Sequence, residues 1–169
     1  MKKILAVLLC LLLLFAFVAC DSNDEYTEDT PQSSTESASP AFHVNISGVK
    51  IELGADAAPV IKALGTPKST REGVNCGNQG TVKEYIYGSF EVYVLVSDKS
   101  STIDGIKLLD DTVSTPEGIK IGSTESDVKS KYKSPTKASS SSYTYISGHK
   151  NLKFNFRDGA VIEINYLTA

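Results

Sequence analysis

The chain has 169 residues, of which 41% are hydrophobic and 22% are charged, and its formal net charge is −3. This apolar fraction supports a packed core, which excludes a chain that is disordered throughout. The acidic balance gives no sign of nucleic-acid binding, so we expect no nucleic-acid partner. Two histidines and three cysteines are little material for a His/Cys cluster, and we predict neither a metal site nor a cofactor.

The first 19 residues have the features of a secretory signal peptide. Lys2 and Lys3 precede an unbroken apolar run at 4–19. A membrane-spanning helix needs about 20 apolar residues, so this run is short for a permanent span and typical of a signal-peptide core. We therefore predict that residues 1–19 direct export.

The end of this run resembles the bacterial lipobox. Phe17, Val18 and Ala19 precede Cys20, and polar residues follow at once. The resemblance implies that Cys20 is lipidated and becomes the first residue of the mature protein. Lipid chains on Cys20 would then hold the protein at the extracytoplasmic face of a cell membrane. An ordinary signal peptide cleaved after Ala19 is the alternative.

Residues 20–41 are predicted to form a disordered tether that begins with the lipidated cysteine. From 21 to 41 the chain has six acidic residues, no Lys or Arg, and many Ser, Thr and Pro. Such a segment buries too little apolar surface to fold. A more specific alternative is that the acidic residues bind Ca²⁺, but the segment lacks the loop of spaced Asp or Asn residues with Gly that such a site uses.

The remaining residues, 42–169, contain a weak internal repeat and carry a net charge of only +1. The spacing of about 60 to 70 residues is too long for a solenoid unit, so we predict two tandem modules, at 42–113 and 114–169. The matching pairs of segments are 48–51 with 118–121, 54–67 with 122–135, 85–87 with 143–145, 90–94 with 152–156, and 106–108 with 164–166.

Each module is predicted to contain one short helix. In the first module a buried stripe is expected from Ala57, Val60, Ile61 and Leu64, with Pro59 tolerated in the first turn. In the second, Ser123 or Thr124 is expected to cap the helix, and Val128 and Tyr132 to share a face.

Three strands are predicted to follow each helix, which gives an α+β fold of antiparallel sheet with helices on its inner face. Asp158-Gly159 is a strong hairpin signal between the last two strands. Alternation predicts that Ile162, Ile164 and Tyr166 face the same way. The predicted strands lie at 85–87, 90–96, 103–109, 143–146, 152–156 and 160–166.

The motif Gly-Ile-Lys-Ile-Gly at 118–122, a capped helix closed by Pro135, and the pattern Phe-x-Phe-x-Asp-Gly-x-Val-x-x-Ile at 154–164 resemble a known family. It is the β-lactamase-inhibitor-protein-like superfamily, which includes outer-membrane assembly lipoproteins. The stretch 104–132 is similar to uncharacterised two-module lipoproteins of Gram-positive bacteria. The resemblance implies protein binding through the exposed sheet face or loops. Residues 42–169 contain one cysteine and no tryptophan, so β-lactamase inhibition is not carried over.

Tyrosines supply the candidate binding residues, because a strand tyrosine gives an interface both a large area and a polar tip. Strand propensity alone is the alternative explanation for them. The candidates occupy matching strand positions in the two modules, and they are Tyr85, Tyr87, Tyr93, Tyr143 and Tyr145.

The predicted function is a non-enzymatic module that binds an envelope or extracellular protein. One alternative is a small-ligand or glycan sensor, which needs a polar cleft. Another is an enzyme in which Cys76 is a nucleophile served by His43 or His149. Carboxylate pairing at Asp104 and 110–111 is also considered, but capping of a strand end explains those residues.

Overall fold

An eight-stranded antiparallel sheet organises the folded part of the chain, of which the computed structural model describes residues 41–74 and 80–169. The predicted signal peptide, Cys20, nearly all of the predicted tether and Cys76 lie outside the described residues. The coarse prediction of an α+β fold is confirmed, because antiparallel sheet dominates and two helices accompany it.

We divide the molecule into two halves, residues 42–113 and 114–169, and give the described elements of each in chain order. The first half contains β1 (His43–Ile46), β2 (Val49–Glu52), α1 (Ala57–Leu64), β3 (Ser69–Val74), β4 (Thr81–Ile86), β5 (Phe90–Val96) and β6 (Ser101–Leu108). The second contains α2 (Glu125–Lys131), β7 (Lys137–Ser139), β8 (Ser142–Ser147), β9 (Lys150–Arg157) and β10 (Ala160–Thr168).

The strand order in the large sheet is β3-β4-β5-β6-β10-β9-β8-β7, and β1 and β2 form a separate hairpin. Each half therefore supplies four consecutive strands, and the last strands of the halves, β6 and β10, pair at the centre. Strands β1, β2, β3 and β7 are not among the predicted strands. All residues of β3 and β7 are exposed, so they lack the apolar alternation by which a strand is recognised.

The same backbone hydrogen bonds recur where each helix approaches the sheet. Gly54 N donates to Ile103 O and Gly122 N donates to Val161 O, each at 2.8 Å. Gly54 has φ of 84° and Gly122 has φ of 87°, a left-handed conformation that favours glycine. The repeated glycine thus turns the chain in the same way before each helix.

A β-bulge also recurs, and it overturns one prediction about side-chain direction. The pairing of β5 with β6 skips Asp104, and the pairing of β9 with β10 skips Ile162. Because the extra residue shifts the alternation, Val161 is buried whereas Ile162 is 40% exposed. The expectation that Ile162 faces the core with Ile164 is therefore wrong.

The two helices begin as their capping residues predict. The Asp56 side chain accepts from Ala58 N at the start of α1, where Pro59 lies in the first turn. Thr124 and Asp127 form a reciprocal capping box at the start of α2. Neither described helix has the length and apolar character needed to cross a membrane.

The helices differ in how deeply they are buried. In α2, Val128 is buried, and so is Tyr132, which directly follows the helix, as predicted from their spacing. In α1 only Ala57 is buried, and the rest of the predicted stripe is partly exposed. The prediction of a fully buried stripe in the first half is thus too strong.

Both helices and the β1–β2 hairpin contribute to one core, which lies on a single face of the sheet. On the first half this face is mainly aliphatic, and on the second half it is mainly aromatic. Its buried strand residues are Phe90, Val92, Val94, Ile103, Ile106, Leu108, Tyr143, Tyr145, Leu152, Phe154, Phe156, Val161, Ile164 and Tyr166.

Candidate functional site

The opposite face of the large sheet is polar and partly exposed, and we call it the open face. Strand alternation places there the residues that lie between the buried ones. One cross-strand row runs through Glu91, Lys107, Asn165, Lys153 and Thr144, on five successive strands. All five are only partly buried, whereas their strand neighbours on the core face are largely buried.

A hydrogen-bonded carboxylate lies at the centre of the open face. Glu163 forms an ion pair with Lys107 at 2.8 Å across the β6–β10 junction. Asn155 and Asn165 each donate a side-chain N–H to Glu163 Oε1 at 2.7 Å. Burial would raise the pKa of Glu163, but the bonds from Lys107 and Asn165 outweigh it and hold that pKa below its usual range. The carboxylate therefore stays charged at neutral pH and fixes the polar groups around it.

A second polar group occupies the first half of the open face. Tyr93 donates its hydroxyl to Glu91 Oε2 at 2.6 Å, and Glu84 Oε1 lies 3.3 Å away. Arg71 reaches Glu84 at 3.6 Å from the edge strand. Burial and the bond to Glu91 raise the pKa of Tyr93, so the phenol remains a neutral donor. The ring of Tyr93 is thus held in place on the sheet.

A small apolar patch lies between these two polar groups, and Tyr93 and Leu167 form it on either side of Gly105. Gly105 pairs with Tyr93 on one side and with Leu167 on the other. A side chain at Gly105 would meet Leu167 Cδ2 at 3.3 Å and Tyr93 Cδ2 at 3.4 Å. Both side chains therefore border the space above Gly105, and Leu167 is 40% exposed.

Two shallow concavities flank this apolar patch. The larger of the two, of about 310 Å³, lies on the second half beside Leu167 and is lined by both aliphatic and polar side chains, the polar ones including Lys137, Ser142, Thr144, Asn151 and Lys153. The smaller one, of about 270 Å³, lies on the first half beside Arg71, Val82, Glu84 and Tyr93. Neither of these two concavities spans the junction of β6 and β10.

The five candidate tyrosines do not share one surface. Tyr143 is 6% exposed and Tyr145 is 3% exposed, so neither contributes to an accessible face. They pair across the sheet with Phe154 and Leu152, which belong to the core. Aromatic packing explains this placement, because Tyr145 contacts both Phe154 and Tyr132. The prediction of an exposed tyrosine face therefore needs correction for these two residues.

The other three candidates divide between the two faces. Tyr85 and Tyr87 are partly buried and pack against the core. Tyr87 stacks on Phe90 with ring centroids 4.8 Å apart. Tyr93 is the one candidate that the structure places on the open face. Alternation separates Tyr85 from Tyr93 because Tyr93 pairs with Glu84, the residue next to Tyr85.

The residues weighed for chemistry lie apart from the open face. His43 begins β1, and His149 is exposed in the turn between β8 and β9. Asp110 accepts from Thr112 N at 3.0 Å, as expected for a carboxylate that caps a strand end, and these bonds lower its pKa. Across 41–74 and 80–169, no group of three or more His, Cys, Asp or Glu side chains could hold a metal ion.

Sequence reasoning missed most of the open face, although its signal was present. In β9 the positions between Leu152, Phe154 and Phe156 are polar. This alternation is sufficient to assign Lys153 and Asn155 to the open face. The role of Leu167 depends on its pairing with Gly105, which the sequence does not give. Comparison of the chain with protein-family models, with curated proteins and with solved structures finds no match.

Proposed function

We propose that this chain is a membrane-anchored extracytoplasmic lipoprotein whose folded part is a non-enzymatic module that binds an envelope or extracellular protein on the open face. The observation that carries the proposal is the contrast between the two faces of the sheet. One face is filled by the shared core, and the other presents Tyr93 and Leu167, on either side of Gly105, inside a polar surround. Protein interfaces have this arrangement, with an apolar or aromatic centre and a polar rim.

The polar side chains around the centre favour a protein partner because they are already ordered. Glu163 holds Lys107, Asn155 and Asn165 in place, and Glu91 holds Tyr93. Groups that are fixed before binding lose less conformational freedom when the partner arrives. The pattern mixes donors and acceptors of both charges, which suits the mixed surface of a protein.

The proposal includes two tandem modules at 42–113 and 114–169, related to the β-lactamase-inhibitor-protein-like superfamily. The repeated glycine turns, the repeated bulges and the symmetric strand order support a duplication. The residue pairs Gly54/Gly122 and Asp104/Ile162 agree with the spacing of the sequence repeat. The modules meet at β6 and β10, and Tyr93 and Leu167 lie on opposite sides of this junction.

Membrane attachment rests on the sequence of the N-terminal segment. Replacement of the proposed lipidation site, Cys20→Ala, is expected to release the protein from membranes or to leave it unprocessed. Membrane fractionation with mass spectrometry of the N-terminus measures both outcomes. A variant that fractionates as the unaltered protein does, with the same N-terminal mass, would show that the lipoprotein proposal is wrong.

The open face is tested by cross-linking and pull-down from intact cells with two matched leucine variants. Leu167 is 40% exposed at the centre of the face, and Leu109 is 37% exposed beyond the end of β6. Leu167→Ser is expected to weaken capture of the partner about 30-fold, as for an interface residue worth about 2 kcal/mol. Leu109→Ser removes a similar exposed apolar area and is expected to leave capture unchanged.

Equal capture by both leucine variants would overturn the use of the open face. Thermal unfolding of each variant provides the control for folding, since neither side chain is buried. A loss of capture with Leu109→Ser alone would place the partner at the end of β6 instead.

A small-ligand or glycan sensor is the second candidate, and the larger concavity favours it. Asn151, Ser142, Thr144 and Lys153 offer hydrogen bonds there. Nuclear magnetic resonance of the protein with a set of sugars tests this reading. Saturable shifts confined to β7, β8 and β9 would support a sensor, and shifts that are absent or scattered would exclude the sugars tested.

A further inference from the structure

Three lysines lie in the short segment that leads from the end of α2 into the edge strand β7. Lys131 ends α2, Lys133 follows it, and Lys137 begins β7. All three are exposed and form no ion pair within the described ranges 41–74 and 80–169, whereas Lys129 pairs with Glu125 at 3.1 Å. We call Lys131, Lys133 and Lys137 the basic edge.

The basic edge belongs to a wider separation of charge between the halves. The first half has seven basic and nine acidic residues, a net of −2, and the second has eight basic and five acidic, a net of +3. The strand order places β3 of the first half and β7 of the second at opposite ends of the sheet. A negatively charged surface would therefore attract the second half of the chain and repel the first.

The start of the described chain is linked to this segment through Glu117. Glu117 accepts the backbone N–H of Ala41 at 2.8 Å through Oε1 and the hydroxyl of Tyr132 at 2.5 Å through Oε2. Tyr132 lies in the chain between Lys131 and Lys133. The segment that leads to the proposed lipid anchor thus joins the domain through the second half, which also carries the unpaired lysines.

We propose that the basic edge docks on the anionic surface of the membrane to which the protein is anchored. This inference rests on the anchor of the proposed function and adds an orientation to it. The β7 edge, with Lys137 at the margin of the open face, lies against lipid headgroups. The sheet stands away from the bilayer, and the rest of the open face remains free for its partner. The lipid chemistry is an anionic phosphodiester headgroup, which attracts lysines close to the surface.

The form of the basic edge favours a bilayer over a ligand of fixed shape. Lysines are point charges on flexible stems, and no arginine fork accompanies them here. The residues between them are Ser, Thr, Pro and the buried Tyr132, which offer no exposed aromatic anchor. Such a surface neutralises a diffuse layer of negative charge and does not read a particular geometry. The acidic residues of 21–36 are the competing occupant.

The experiment uses the full chain reconstituted through its own N-terminal segment. One set of vesicles is pure phosphatidylcholine and the other contains about 30% phosphatidylglycerol, a composition that gives a strongly negative surface. An amine-acetylating reagent and mass spectrometry report the reactivity of each lysine. Lys62, Lys68 and Lys99 of the first half are the internal controls, since they are equally exposed and form no ion pair among the described residues.

Acetylation of the basic edge is expected to be about fivefold slower on the anionic vesicles than on the neutral ones, with the controls unchanged. About 0.5 M salt should abolish the difference, because it shortens the range of the attraction to a few ångströms. If the lysines of the basic edge react at the same rate on both vesicles and as fast as the control lysines, the proposal is overturned. If they react at the same rate on both vesicles but more slowly than the control lysines, the proposal is also overturned, in favour of the acidic segment 21–36.

Flotation of two triple variants separates this proposal from the anchor. Both variants are made in a chain that also carries Cys20→Ala, so that flotation no longer depends on the proposed lipid. In this chain, serine at Lys131, Lys133 and Lys137 is expected to lower flotation with the phosphatidylglycerol vesicles about 100-fold, and serine at the three controls should leave it unchanged. Equal flotation of the two triple variants would refute the basic edge. Loss of the unaltered chain from neutral vesicles would refute the anchor and would leave this comparison unaffected.

Discussion

The two halves of the sheet share a backbone frame but fill it differently. Both use a left-handed glycine, a helix and a bulged last strand in the same order. The core is aliphatic around Val92 and Ile106 and aromatic around Phe154 and Tyr166. The comparison shows that repeated hydrogen bonds maintain the frame, and that packing, charge and function can diverge on it.

The polar atoms inside the two cores differ as well. In the second half the Tyr145 and Tyr166 hydroxyls are buried without a hydrogen-bond partner among the described residues. Tyr132, by contrast, donates to Glu117 and lies 2.9 Å from Thr115 Oγ1. A buried hydroxyl without a partner costs about 1–3 kcal/mol, so the aromatic core combines a large apolar area with a polar penalty.

The largest expected effect compares the cores at matched positions. Phe154 corresponds to Val92 in the repeat, and both side chains are fully buried. Phe154→Ala is expected to lower the free energy of unfolding by about 4 kcal/mol, and Val92→Ala by about 2, because the larger ring leaves the larger cavity. Urea denaturation measures both values. Equal losses of unfolding free energy would contradict the expectation that the larger ring leaves the costlier cavity.

Alkaline pH should destabilise the protein through tyrosines with raised pKa in both halves, namely Tyr93 in the first half and Tyr132 and Tyr166 in the second. Burial raises the pKa of Tyr132 and Tyr166 above the ordinary value near 10. Above pH 10 these tyrosines ionise in the unfolded chain but stay protonated in the folded one. Stability is therefore full below pH 10 and falls above it by about 1.4 kcal/mol per pH unit for each tyrosine.

Urea midpoints between pH 8 and pH 11 test this dependence. Tyr166→Phe is expected to remove about half of the slope due to these two tyrosines, and at pH 7 it should stabilise the protein slightly, because its hydroxyl has no partner in the described ranges. An unchanged slope in this variant would contradict the assignment. The same is true of a marked loss of stability at pH 7.

The smallest effect tests the shared frame itself. An alanine side chain at Gly54 or Gly122 would meet no atom within 4 Å, so only the left-handed backbone opposes it. Gly54→Ala and Gly122→Ala are each expected to cost about 1–2 kcal/mol in unfolding free energy, and by the same amount. Thermal melts of the two variants measure the costs. A difference above about 1 kcal/mol would show that the two turns are not equivalent.

The sequence predicted those parts of the fold that have local signals. Thr124 predicts the start of a helix, and Asp158-Gly159 predicts a hairpin turn. Val92 and Phe154 alternate with other residues in the way that predicts a strand. The exposed strand β3 carries no such alternation, and the bulge at Ile162 results from pairing with another strand. Local patterns therefore gave the elements, and non-local pairing decided the register.

The candidate site depended more heavily on non-local pairing. Strand alternation could separate Tyr93 from Tyr85 only after the register between β4 and β5 was known. The local sequence around Tyr143 and Tyr145 does not distinguish a buried strand tyrosine from an exposed one. Only their pairing with Phe154 and Leu152 assigns them to the core. The Lys107–Glu163 ion pair joins residues from different halves, which the sequence brings together only through the fold.

The central claim, binding through the open face, is tested most directly by a photoreactive amino acid at single positions in intact cells. Tyr93 and Thr144 represent the open face, and Lys62 of α1 and Ser130 of α2 represent the exposed surface of the helices. We predict that one partner is cross-linked from Tyr93 and Thr144 and not from Lys62 or Ser130. Cross-links confined to the helix positions, with none from the open face, would contradict the account.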